Sequence, residues 1–405
     1  MAEAWLIEIA KGIGRFFLNP IVYWTILLIL LAGYKRLKQE RLDFGSKVFD
    51  IFSEWKSTWG FSLIAGLVLS IITIAAGMVF SYESIMILAI VTILLSITFR
   101  FTFLSPSYTI GFTFLLLLFL PLLLENQTVI DINLNLVTNF NILSSLSLLA
   151  GLLLIVESIL IGRVKRDETY PGITLSDRGY WVGQHRIKKL SVIPFFAVIP
   201  TGLVTPFASW WPYFSIGEST YSFILIPFLI GFDYLAKGHH PMQATQKISK
   251  FNGLLGLGIV LIAASSIFLP MLSIVAIVLA IIGKEYLNYK YRVGDRLRRP
   301  FFQPQETGLK IVGIIPLTPA AKLSVFPGET ISKVNGRKVS TETEFYRALQ
   351  GSGAFFKLEV LDDNQEVRFV QGAFYEGDHH ELGLLFPGSP FRSKKSKKTK
   401  KEMSG

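Results

Sequence analysis

Five histidines (His185, His239, His240, His379 and His380), no cysteine and a few ionisable groups inside apolar stretches are the residues whose chemistry must be considered first. A zinc hydrolase needs two histidines one helical turn apart, as in HExxH, and no pair has that spacing. The adjacent pairs at 239–240 and 379–380 point to different sides of any helix or strand. No GxSxG nucleophile elbow and no GxxxxGK[ST] phosphate loop occurs. The absence of thiols removes disulfides and thiolate sites. An enzyme is therefore not expected, and no cofactor is called for. Glu157, Arg100 and Asp233 lie within or at the ends of apolar runs, where a charge is costly and often functional. Arg100 and Asp233 sit near run ends, where snorkelling is cheap. Glu157 is deeper, and its reading is helix packing or a buried hydrogen bond ahead of an ion pathway.

Composition dictates the elements that hold these groups. Of 405 residues, 51% are hydrophobic and only 17% charged, which places the chain in the membrane class. Met1–Pro20 has no basic stretch leading into a cleavage site, so no cleavable signal is expected. Within residues 1–19, Trp5, Ile9, Ile13, Phe16 and Phe17 cluster at helical spacing opposite Glu8, Lys11 and Arg15. That pattern predicts an amphipathic helix lying in the interface. Apolar runs follow at 20–34, 60–80, 85–99, 108–124, 141–162, 190–208, 221–236, 252–268 and 271–287. They predict a polytopic α-helical bundle over 20–287, with nine transmembrane helices, or eight if the short first run does not cross. Pro121, Pro194, Pro200, Pro206 and Pro227 are read as ordinary bundle prolines, and the glycines of 253–260 as helix packing.

Charge sets the orientation. Segments 35–57, 163–189 and 237–250 are rich in Lys and Arg, whereas 81–84, 125–140 and 209–219 contain none. Basic loops face the cytoplasm, so the C-terminal region does too. Trp210, Trp211 and Tyr213 suit an outer aromatic belt. Much of the net charge of +11 sits in the tail, 389–405, with Lys394, Lys395, Lys397, Lys398, Lys400 and Lys401. Self-repulsion predicts disorder there. Attraction to anionic lipid is worth about 1 kcal/mol per basic residue near the surface, with a plain solubilising terminus as the competing reading. No aromatic residues are interleaved for base stacking, so nucleic acid is not an expected partner.

After a linker, 288–306, the stretch 307–388 changes character. It reads as a strand Leu309–Ile315, a short helix Thr318–Leu323 and a Pro327-Gly328 turn. A strand Glu329–Val334, an Asn335-Gly336 turn and a helix Thr341–Gln350 follow. That order, with the string PGE…I…VNG…V, resembles a PDZ domain. The resemblance implies a small α+β module that binds extended peptide ends by adding them to a sheet edge. The groove helix would be Thr341–Gln350, where Phe345 and Leu349 share a face. Nothing before Leu309 matches the loop that receives a peptide carboxylate. The late segment ELGLLF does, with Leu382, Gly383, Leu384 and Leu385, in a circularly permuted arrangement. Pure core for Phe345 and Leu349, and an ordinary closing strand for ELGLLF, are the alternatives.

Three longer segments carry a second resemblance: WLIEIAKGIGRFFLNPIVYW, the loop VKRDETYPGI with the S.RG..VG.H that follows it, and VNGRKVSTETEFYRALQ with the downstream YEGDHHELGLLF. Through them the chain is similar, over nearly all but its lysine-rich tail, to the MinJ family of cell-division topology proteins of Gram-positive rods. The resemblance implies a multi-pass adaptor of the cell membrane, enriched at septum and poles. It would link a DivIVA-type protein to MinD, and through MinD to MinC, and contact other divisome membrane proteins. Homo-oligomerisation is left open. A transporter or channel with a regulatory PDZ domain, or a partner of an intramembrane protease, is the alternative.

Overall fold

The computed structural model describes residues 2–124, 139–217, 220–351, 355–373 and 382–392. Its N-terminal part contains helices α1 (Ala2–Phe16), α2 (Pro20–Phe44), the short α3 (Ser53–Lys56), α4 (Trp59–Ala75), α5 (Tyr82–Ser96), α6 (Pro106–Leu124) and α7 (Phe140–Gly162). Helices α8 (Pro241–Ser265) and α9 (Leu272–Arg296) follow a three-stranded sheet of β1 (Tyr170–Leu175), β2 (Trp181–Val204) and β3 (Tyr221–Ala236). Helices α2, α7, α8 and α9 are each long and apolar enough to cross a membrane. Local chemistry sets their ends. Asn19 caps α2 by accepting from the Ile21 N–H, Pro20 takes the first helical position, and Gly45 closes the helix at φ 78.

Two of the nine expected transmembrane helices are not helices. The runs 190–208 and 221–236 fall on β2 and β3, an antiparallel hairpin in continuous register from His185↔Ala236 to Pro200↔Tyr221. Proline weighs against the helical alternative. Pro194 and Pro200 fall six residues apart in one run and Pro227 lies midway along the other, and each would remove a helical hydrogen bond and clash with the preceding turn. The surrounding Val, Ile and Phe favour extended backbone. At about 3.3 Å per residue, the 16 residues of β3 reach farther than a ~30 Å hydrocarbon core.

A sheet edge facing lipid leaves polar backbone unsatisfied, so both edges of the hairpin must be covered. Along β2 lies α4. Its Thr58 hydroxyl donates to the Leu190 carbonyl (3.2 Å), and the Ser70 hydroxyl accepts from the Phe196 N–H (2.8 Å). The Thr73 hydroxyl donates to the Phe196 carbonyl at 2.5 Å. Gly66 lets the two backbones touch, since a Cβ there would stand 2.0 Å from the Pro194 carbonyl oxygen. Along β3 lie α1 and the turn Phe101–Leu104, whose Thr102 donates to the Asp233 carbonyl (3.0 Å). Glu8, expected on the exposed side of α1, is buried and accepts from Ser222, while Arg15 donates to the same hydroxyl at 2.9 Å. Thus α1 covers a strand edge with Glu8 and Arg15, while Trp5 and Ile9 pack beside them against the cluster that holds Phe223.

The C-terminal region is sheet-rich. Strands β4 (Leu309–Lys310), β6 (Thr330–Val334), β8 (Phe355–Leu361) and β9 (Val367–Ala373) form one path, with β7 (Arg337–Lys338) on β6. A separate pair joins β5 (Gly313–Ile314) to β10 (Leu384–Leu385). The single strand expected over Leu309–Ile315 is therefore two, because the chain leaves one sheet for the other at Ile311–Val312. Between β6 and β7, Asn335 and Gly336 take positive φ (47° and 77°), the geometry of a tight hairpin. Helices α10 (Pro319–Lys322) and α11 (Glu342–Gln350) complete the layer, α11 opening with a reciprocal Thr341/Glu344 capping box.

Candidate functional site

Strand β10 runs beside α11. Leu382, Leu384 and Phe386 alternate into the same core as Phe345 and Leu349, and the Phe386 and Phe345 rings meet at 5.2 Å. Phe345 is fully buried and Leu349 nearly so. Gly383 has φ +88, and a Cβ there would stand 2.2 Å from the Thr318 hydroxyl, so the position requires glycine. The carbonyls of Gly383 and Leu385 accept from Ile315 and Val312. By the alternation of an extended strand, the N–H and C=O of Leu384 point the other way. Among the described residues no strand pairs with that edge. ELGLLF thus supplies a two-residue strand with one open side, next to the helix expected to flank a groove. Glu381 and the tail lysines 394–401 lie outside the described residues.

The loop 163–189, basic and otherwise unassigned in the sequence, becomes β1 and the start of β2, and there the C-terminal region docks. The Gly183 N–H donates to the Phe302 carbonyl (2.8 Å), and His185 Nε2 donates to the Val312 carbonyl (2.7 Å). That bond leaves Nδ1 to accept from Thr169 (2.8 Å), while the ring stacks on Phe302. Complete burial pushes His185 down to about 4, against a small upward pull from the Val312 carbonyl. His240 is also pushed down to about 4, by burial and then by the neighbouring Arg166, which pairs with Asp363. Its neighbour His239 turns instead to Asp295 (2.8 Å). A final stitch joins residues 391–392 to the end of α2. The N–H groups of Phe391 and Arg392 donate to the Asp43 and Leu42 carbonyls, which end α2 without helical partners.

Glu157 is buried within the bundle and meets Lys284 at 2.7 Å, with Ser105 donating to its other oxygen (2.6 Å). Lys284 also donates to Asn252 (2.7 Å). This cluster ties α7, α8 and α9 together. Lys284 escaped the sequence reading, although a lysine near the end of the last apolar run was the available signal. Asp233 pairs with Arg186 (2.7 Å) at the end of the hairpin away from its turn. Trp210 and Tyr213 are half exposed at the opposite turn, but Trp211 is buried and donates to the Ile74 carbonyl.

No protein-family model matches the chain. It is 33% identical over 387 residues to the cell division topological determinant MinJ of Bacillus subtilis (strain 168), covering 95% of this chain and 96% of that protein. It is 26% identical over 181 residues to a probable cell division topological determinant MinJ of Lacticaseibacillus paracasei, covering 44% of this chain and 48% of that one. A protein of the same description from Lacticaseibacillus casei (strain BD-II) matches equally. Similarity of this extent, across bundle, hairpin and C-terminal region alike, places the chain in the MinJ family of cell division topological determinants.

Proposed function

We propose that the chain is a non-enzymatic, multi-pass membrane scaffold that positions the division-inhibitor machinery. Residues 20–287 form the membrane domain in this reading, 288–306 a linker and 307–388 a PDZ-like domain on the cytoplasmic side. The PDZ-like domain adds a partner's peptide end to the open edge of β10, over Leu382–Leu385, with α11 as the other wall. The open edge beside α11 carries the proposal, because strand addition needs an unpaired ladder next to a shaped wall. A DivIVA-type protein at septum and poles on one side, and MinD with MinC on the other, are the partners this reading assigns. Other divisome membrane proteins would be neighbours, and the lysines of the tail would hold anionic lipid.

A fluorescent fusion imaged in dividing host cells tests the scaffold. Septal and polar signal that disperses on loss of the DivIVA-type protein supports it, and uniform membrane signal in both strains overturns it. Titrating the purified chain with partner C-terminal peptides, as free acid and as amide, tests the groove. Strand addition with carboxylate capture predicts at least tenfold weaker binding of the amide. Equal affinities would remove ELGLLF from that role.

A further inference from the structure

A cavity of about 390 Å³ opens between α2, the Phe99–Arg100 turn, β1 and the inner end of β2. Its carboxylates are already engaged. Glu40 accepts from Arg36 (2.6 Å) and from the Val48 and Phe49 N–H groups, and Asp43 accepts from Gln39 (2.8 Å). Arg36 is further held by Glu54, and Arg186 by Asp233. Three wall cations are left. Lys35, Arg100 and Lys188 form no ion pair among the described residues. Lys188 is only 8% exposed, its ammonium 3.9 Å above the Phe101 ring. Asp233, opposite it on β3, and Glu54 attract this ammonium from a distance, but no carboxylate touches it, and a bound anion in direct contact would offset more of the cost of its burial.

The three cations come from three elements and line the same cavity. Lys35 directly follows the apolar run 20–34, Arg100 directly follows 85–99, and Lys188 stands two residues before 190–208. The mouth of the cavity therefore lies where apolar chain meets water. We propose that this cavity binds the phosphate of an anionic lipid headgroup, with Lys35, Arg100 and Lys188 donating to its oxygens. Charge-assisted donors converging from separate elements suit a tetrahedral anion, and the volume falls within the roughly 300–1,000 Å³ of small-molecule sites. With the orientation proposed above the headgroup belongs to the inner leaflet; the phosphate chemistry does not depend on that orientation.

The full chain, purified in neutral detergent, would be tested by thermal shift. Short-chain phosphatidylglycerol, phosphatidylcholine and glycerol 3-phosphate are the probes. Phosphatidylglycerol should raise Tm at concentrations at least fivefold below those at which phosphatidylcholine acts. The variant Lys35→Gln/Arg100→Gln/Lys188→Met should lose that difference, and a chain truncated after residue 392 should keep it. An equal response to glycerol 3-phosphate would support the phosphate site and name a soluble phosphoester as its source. Loss on truncation with retention in the triple variant would overturn the proposal in favour of the tail. Should the triple variant fail to fold, Arg100→Gln alone, at an exposed position, must still weaken the response, and no change there would also refute the site.

Discussion

At the scale of single residues, the sharpest consequences come from buried charge. Glu157→Gln strands the Lys284 ammonium inside the bundle, and losing one partner of a buried pair costs about 3–5 kcal/mol. The expected outcome is a marked fall in Tm, largely recovered by adding Lys284→Met; a single mutant as stable as the parent would show the pair to be idle. His185 bears on docking. Its proton affinity is depressed in the folded chain, so the unfolded state binds more protons below its ordinary value near 6.5. Stability from the neutral ring is whole above pH 6.5 and declines as pH falls toward about 4, by roughly 3 kcal/mol in total. Protease protection of the C-terminal region measured from pH 7 to 4 should track that loss; His185→Gln should make the profile shallower, and only loss of His240 as well, which is depressed to the same degree, should flatten it. Of these residues, the sequence exposes Glu157 as a charge in an apolar run but not its partner 127 positions away. The shared face of Phe345 and Leu349 was legible from spacing, whereas the left-handed backbone of Gly383 shows only once Thr318 is seen against it.

Among the elements, the hairpin is where pattern reading failed. A strand buried on both faces and a buried helix present the same unbroken apolar run, so periodicity does not separate them. Prolines at 194, 200 and 227 held the distinguishing information, and their habitual tolerance in membrane helices hid it. The capping box of α11 and the Asn335-Gly336 turn were readable because each depends on neighbours within four residues. The hydroxyls of α4 belong to no such local rule, since they answer to a strand more than 120 residues later. Replacing Ser70 with Ala and Thr73 with Val leaves the Phe196 N–H and C=O without these partners, at about 1–3 kcal/mol each. Hydrogen exchange at Phe196 should accelerate in the double variant while α9 stays protected; unchanged exchange would mean that α4 merely lies alongside.

For the molecule as a whole, the absence of cysteine makes topology directly measurable. A cysteine at exposed Tyr213 should react with an impermeant maleimide added to intact cells, and one at Arg337 only after lysis. Labelling of Arg337→Cys from outside would invert the proposed orientation. Strand β2 then acquires a mechanical meaning. It passes without a break in register from the ring stack at His185 to Pro200, near the turn of the hairpin. Backbone under tension along its own axis is among the stiffest links a protein has, and no hinge interrupts this one. A pull on the turn beyond Pro200 would reach the His185 seam, where the C-terminal region docks, as displacement rather than slack, as a key moves its bolt.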